Sequence, residues 1–194
     1  MDVATPNGQG PRKAAEIFAA TLALVTDKGY DGLTVEAVAA RAGVNKTTLY
    51  RWWPSKDALL AAALVRSPLL AFTLPDTGSL RGDLRALAEG IVGLLTGPDS
   101  AAVIGPVLAA APRRPELAEL GRAFFADRLA RERPIFDRAV ERGELAAGTD
   151  PETVMDLLAG AIWLRLLLRG RELGAGDLER ILDTLLHGAL ASRG

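Results

Sequence analysis

Between Asn45 and Leu60 the chain reads NKTTLYRWWPSKDALL, which places two threonines, a tyrosine and two tryptophans beside Lys46, Arg51 and Lys56. Thr and aromatic residues are mediocre helix formers, because they lose side-chain freedom against the preceding turn. A helix built from them needs another reason to exist. What these side chains share is an ability to grip a duplex. Lys46, Arg51 and Lys56 supply cations for phosphates. Thr47 and Thr48 are short enough to let backbone approach, with hydroxyls for phosphate or base edges and methyls for the thymine methyl. Tyr50 adds a hydroxyl for phosphate and a flat ring for a sugar. The same composition also suits a plain core helix with solvated charges, so the surrounding elements have to discriminate.

Bond-making chemistry has little to work with. The 194 residues contain no Cys and a single His, His187. That rules out disulfides, thiolate catalysis and Cys- or His-cluster metal sites. Neither a Gly-rich phosphate loop nor a paired-carboxylate motif on a plausible cleft is present, which disfavours an enzyme and gives no reason to expect a cofactor or metal. Net charge is −1, but residues 1–66 hold eight Lys/Arg against six Asp/Glu, and residues 67–194 hold fifteen against eighteen. The N-terminal part is weakly basic. The longest uncharged stretch, Ser100–Pro112, is shorter than the ~18 apolar residues that a membrane span requires. With no secretory cleavage pattern, a cytoplasmic protein without a membrane partner is expected.

The elements that must hold the 45–60 stretch follow from caps and breakers. Residues 1–10, MDVATPNGQG, are rich in Gly and Pro and read as a disordered tail. A helix is predicted from Pro11, with Ala14, Phe18, Leu22 and Val25 on one face, Ile17 and Leu24 widening it, and Gly29 as the stop. Thr34 caps a short helix whose stripe is Val35, Val38, Ala39 and Ala42. Gly43 ends it. Asn45 caps the next helix, Lys46 to about Trp52, and Pro54 and Ser55 then start a third. Two short capped helices joined at Ala42-Gly43-Val44 form a helix-turn-helix pattern, in which the second helix lies in the major groove. Leu49 and Trp53 are expected to face inward on Phe18, Val38 and Leu59. An ordinary helical hairpin in a bundle fits the same spacing.

Gly29-Tyr30, Leu33-Thr34, Val38-Ala39, Ala42-Gly43-Val44, Thr48-Leu49-Tyr50, Trp53, Ser55-Lys56 and Leu59 together resemble the DNA-binding domain of the TetR/AcrR family of bacterial transcriptional regulators over residues 12–60. Asn45 stands where the family usually has a Ser cap, and Trp53 where Phe is common. Arg51-Trp52 falls where base-proximal residues vary. The resemblance implies DNA contacts from Thr34, Lys46, Thr47, Thr48, Tyr50, Arg51 and Lys56. It also implies an all-α fold with a helix-turn-helix domain at 11–55 and a helical effector-binding and dimerisation domain at 56–194.

Beyond Leu60 the chain reads as helices at about 80–96, 101–111, 115–142 (kinked or split at Pro134), 151–169 and 177–191. The last two are apolar around most of their circumference, which calls for burial on two sides. A four-helix bundle between two copies satisfies this, through Leu157, Ala161, Leu164, Leu168, Leu178, Ile181, Leu182, Leu185 and Ala189. The family dimerises in the same way. Arg165 is a cation on this apolar face, suited either to an acid across the interface or to a ligand. The resemblance further implies a small-molecule pocket, for which Phe72, Phe124, Phe125, Phe136, Met155 and Trp163 are candidates. The uncharged 100–112 stretch favours an apolar effector. The expected protein is thus a homodimeric repressor on double-stranded DNA, released from a palindromic operator by an effector. A helical DNA binder without effector, serving chromosome organisation, is the alternative.

Overall fold

The computed structural model of the protein describes Pro11 and residues 13–188. The expected tail at 1–10 and the interface candidate Ala189 lie outside the described residues. Nine α-helices occur among those residues: α1 (Ala14–Lys28), α2 (Val35–Ala42), α3 (Lys46–Trp52), α4 (Lys56–Val65), α5 (Leu80–Thr96), α6 (Pro98–Ala110), α7 (Pro115–Glu141), α8 (Pro151–Trp163) and α9 (Ala175–His187). There is no strand among them. No single helix there is long and apolar enough to cross a membrane. Pro134 lies inside α7, which runs on as one helix.

The chain divides into two compact units. The first comprises residues 1–71 and 98–122; the second comprises 72–97 and 123–194. Helix α4 belongs to the first because α1 packs on it, as it also packs on α2 and α6. Its core includes Ile17, Leu24, Val25, Leu33, Val38, Leu49, Leu59, Leu60 and Ile104. The buried stripe of α1 is Ile17, Ala20, Thr21, Leu24 and Val25, which keeps Ile17, Leu24 and Val25 of the expected face and leaves Ala14, Phe18 and Leu22 half-buried. Thr21 satisfies its hydroxyl by donating to the Ile17 carbonyl at 2.8 Å.

In the second unit α5 packs on α8 and α9, and α8 on α9. Leu84, Leu87, Ile135, Phe136, Leu158, Ile162, Leu178 and Leu182 fill its core. Beyond Trp163 the α8 backbone widens into a π-helical turn over Leu164–Leu168. Ion pairs from Arg81 to Glu179 and Asp183, both at 2.6 Å, brace α5 against α9.

Candidate nucleic-acid interface

The turn between α2 and α3 is set by backbone geometry. Gly43 adopts φ +61° and ψ +45°, a left-handed conformation that glycine reaches without steric penalty. The Gly43 N–H then donates to the Ala40 carbonyl at 3.3 Å and the Val44 N–H to that of Ala39 at 3.0 Å. This Schellman arrangement closes α2 and redirects the chain within two residues. Side chains start the following helices. The Thr34 hydroxyl accepts from Ala37 N–H at 3.1 Å. Asn45 Oδ1 accepts from both the N–H and the hydroxyl of Thr47, at 3.0 and 2.9 Å. Ser55 Oγ accepts from Ala58 N–H at 3.0 Å. Each cap satisfies a donor that the first turn would leave open.

Helix α3 is anchored on one side only. Leu49 is fully buried, and Trp53, just past the helix, meets Phe18 edge-on with ring centroids 5.3 Å apart. Lys46 and Tyr50, and Thr47 and Arg51, are pairs four residues apart, so the four share one face of the helix. All four are exposed, Tyr50 at 45 %. Thr48 is half-buried beside them, and Thr34 is exposed. Residues 37–56 contain Arg41, Lys46, Arg51 and Lys56 and no acid. Arg41 is neutralised by Asp27 at 2.6 Å, which leaves Lys46 and Arg51 as the cations of this face without an ion-pair partner among the described residues.

Lys56 does not belong with them. Its ammonium turns inward, donating to the Tyr30 and Leu33 carbonyls at 3.1 and 3.2 Å and lying 4.2 Å from the Tyr30 ring centroid. Two backbone carbonyls and an aromatic face thus hold it against the domain. These contacts tie the start of α4 to the 30–33 segment. Tyr30 is buried and donates its hydroxyl to Asp57. Burial first, then the Asp57 carboxylate, raises its pKa well above the usual phenol range, so the hydroxyl remains a donor. The sequence reading missed Tyr30 and Asp57 as partners. Their only signal was the Gly-aromatic at 29–30 and an acid in the first turn of α4.

The second unit gathers four of the six pocket candidates. The Phe124 and Phe125 rings lie 5.3 Å apart, and Phe125 and Trp163 lie 5.6 Å apart. The Arg128 guanidinium covers Phe72 at 3.9 Å and reaches toward Phe124 at 5.9 Å. Its Nε donates to Glu132 at 3.1 Å. Glu132 is buried, and desolvation raises its pKa against the opposing pull of Arg128. Met155 is half-buried. Phe136 is buried, 2 % exposed. A separate open recess of about 480 Å³ is lined by Val92, Thr96, Leu166 and Gly170–Leu173, none of them a candidate.

The interface candidates separate in the same manner. Leu157, Leu164 and Leu168 are exposed at 58, 41 and 79 %, with Leu167 at 43 %. Ala161 and Leu185 are half-buried. Leu178, Ile181 and Leu182 are buried within their own unit, so they are core residues and not an outward face. Their stripe on α9 is consumed by α5 and α8. Arg165 remains on its own unit's surface and, after the Gly174 N–H and Arg180, helps to hold the Asp177 carboxylate below its usual range.

Known proteins share this arrangement. The family described as bacterial regulatory proteins, tetR family, matches residues 17–63, and the one described as Tetracyclin repressor-like, C-terminal domain, matches residues 74–185. The chain belongs to the TetR family. An uncharacterised HTH-type transcriptional regulator of Mycobacterium bovis is 35 % identical over 182 residues, covering 93 % of this chain and 89 % of the relative. The DNA-binding transcriptional repressor TetR of Mycobacteroides abscessus is 32 % identical over 183 residues, covering 92 and 94 %. The crystal structure of the TetR family transcription regulator SCO0332 superimposes with a TM-score of 0.71 at 32 % identity, covering 93 % of this chain and all of that one. As a TetR-family member the protein is an all-helical, DNA-binding transcriptional regulator, and α2–α3 is its helix-turn-helix.

Proposed function

We propose that this protein is a homodimeric repressor that works in the cytoplasm and holds a palindromic operator with α3 of each copy. The exposed face of Lys46, Thr47, Tyr50 and Arg51, fixed from beneath by Leu49, carries this reading. Cations placed beside hydroxyls and an aromatic ring supply phosphate anchoring and edge contacts together. Thr34 and Thr48 stand at its margins. Exposed Leu157, Leu164 and Leu168 support dimerisation, because apolar side chains of this size in one region mark a partner surface. A two-fold dimer would present two α3 helices to half-sites one helical turn, ~34–36 Å, or a multiple of it apart. The repressor named among the relatives supports the sign of regulation.

An effector bound at the aromatic cluster of Phe72, Phe124, Phe125 and Trp163 would release the DNA by favouring a state with different α3 spacing. The shift can be no larger than its differential affinity for the two states. Transcription in vitro from a promoter overlapping the selected site, with sedimentation of the protein on that duplex, tests the proposal. Added protein lowers transcript yield, and two 20.5 kDa chains load per palindrome. Raised yield, or one chain per site, contradicts it.

A further inference from the structure

Helices α2 and α3 are bracketed in sequence by Tyr30 before them and Ser55–Asp57 after them, and these two ends meet. Lys56 donates to the Tyr30 carbonyl, and Asp57 receives the Tyr30 hydroxyl. A third segment of the same unit touches both sides of this node. The Arg114 guanidinium lies 5.4 Å from the Tyr30 ring centroid, and Glu116 accepts the Ser55 hydroxyl. Arg114 is a single extended residue, φ −129°, between the short turn Ala111–Arg113 and α7. Glu116 lies in the first turn of α7, where the helix dipole favours a carboxylate. Helix α7 is 27 residues long in all.

The geometry points to Arg114 and Glu116 as positioning residues for DNA binding, a latch that ties both ends of the helix-turn-helix, through Tyr30 and Ser55, to the head of α7. Neither residue belongs to the exposed face of α3, and both act through side chains that hold its frame. The latch raises the fraction of molecules in the DNA-competent arrangement, and apparent affinity scales with that fraction. This rests on the reading of α3 as the recognition helix.

Hydrogen–deuterium exchange and operator titration on the full chain test the inference. The proteins are wild type, Arg114→Ala/Glu116→Ala and Arg114→Lys/Glu116→Gln, and the duplex is the one that wild type selects from random DNA. The alanine pair should exchange faster across residues 30–57 and bind the operator about 3–10-fold more weakly, the range for one cation–π contact plus one exposed hydrogen bond. Its slope of log affinity against log salt should match wild type, because no phosphate contact is lost. The Lys/Gln pair should recover both properties, since Lys remains a cation over the ring and Gln still accepts from Ser55. Unchanged exchange and affinity in the alanine pair would overturn the latch. So would a reduced salt slope, which would make Arg114 a direct phosphate contact. If wild type selects no sequence, the reading of α3 fails, while the exchange comparison still decides whether the latch holds residues 30–57.

Discussion

Helix α3 buries Leu49 and turns Lys46, Thr47, Tyr50 and Arg51 to solvent, whereas α8 buries Leu158 and Ile162 and leaves Leu157 exposed, with Leu164 and Leu168 exposed just beyond it. Both are capped at the start by a side-chain oxygen, Asn45 in one and Asp150 in the other. Both contain residues that a solvated helix would avoid. They differ in what remains outside once the core is filled. On α3 the remainder is cationic and hydroxylic, which suits a polyanion. On α8 it is aliphatic, which suits another aliphatic face. It is the exposed remainder that tells the partners apart.

The comparison breaks most visibly at its anchors. Leu49→Ala removes the only fully buried contact of α3 and leaves a cavity, which destabilises by about 2–5 kcal/mol. Urea denaturation should show that loss, with DNA binding weakened in parallel. Leu168→Glu on the α8 side should do the reverse. At 79 % exposure it contributes little to its own unit, so the fold persists while dimer dissociation rises by about tenfold or more. Sedimentation at several concentrations reads this, and an unchanged dimer would remove α8 from the interface. A smaller effect is expected at the α3 cap, where Asn45→Ala forfeits the bond to Thr47 N–H and costs about 1 kcal/mol, measurable by the same urea titration.

The smallest effect sharpens the α8 side through pH. The Asp150 carboxylate accepts from the Thr153 hydroxyl at 2.6 Å and from the Thr153 N–H at 3.1 Å. The hydroxyl first, then the N–H, holds its pKa below the ordinary 3.8. A carboxylate depressed in the folded state contributes stability that is present above pH 3.8 and lost as pH falls through its lower folded value. Protection of the first-turn amides of α8, measured against their intrinsic exchange rates, should therefore fall on acidification below that point, and Asp150→Ala should abolish the fall. A first turn indifferent to acid in the wild type would contradict the assignment.

Much of the recognition element was legible because its determinants are local. Thr34, Gly43, Asn45 and Ser55 act on backbone groups within a few residues, so spacing alone fixes their roles. Lys56 was not legible, since its carbonyl partners at Tyr30 and Leu33 lie 26 and 23 residues away. The α9 stripe shows the same limit from the other direction. Periodicity revealed that Leu178, Ile181 and Leu182 are buried, but not that α5 and α8 of the same chain cover them. The placement of residues 98–122 beside α1 left no trace in the local pattern, because α6 carries a single charge, Asp99, contains Pro106 and would suit either unit. The aromatic cluster was half legible. Its Phe and Trp residues stood out by type, while Arg128, which joins Phe72 to Phe124, looked like any charge on a long helix.

The most direct test of α3 as the sequence-reading element is selection of bound sequences from random duplex DNA at two salt concentrations, with wild type, Lys46→Ala and Tyr50→Ala. The account expects a palindromic motif for wild type, weakened or lost in both variants, with the salt slope reduced by about one for Lys46→Ala. Binding that is steep in salt, carries no motif and is indifferent to Tyr50 would contradict it.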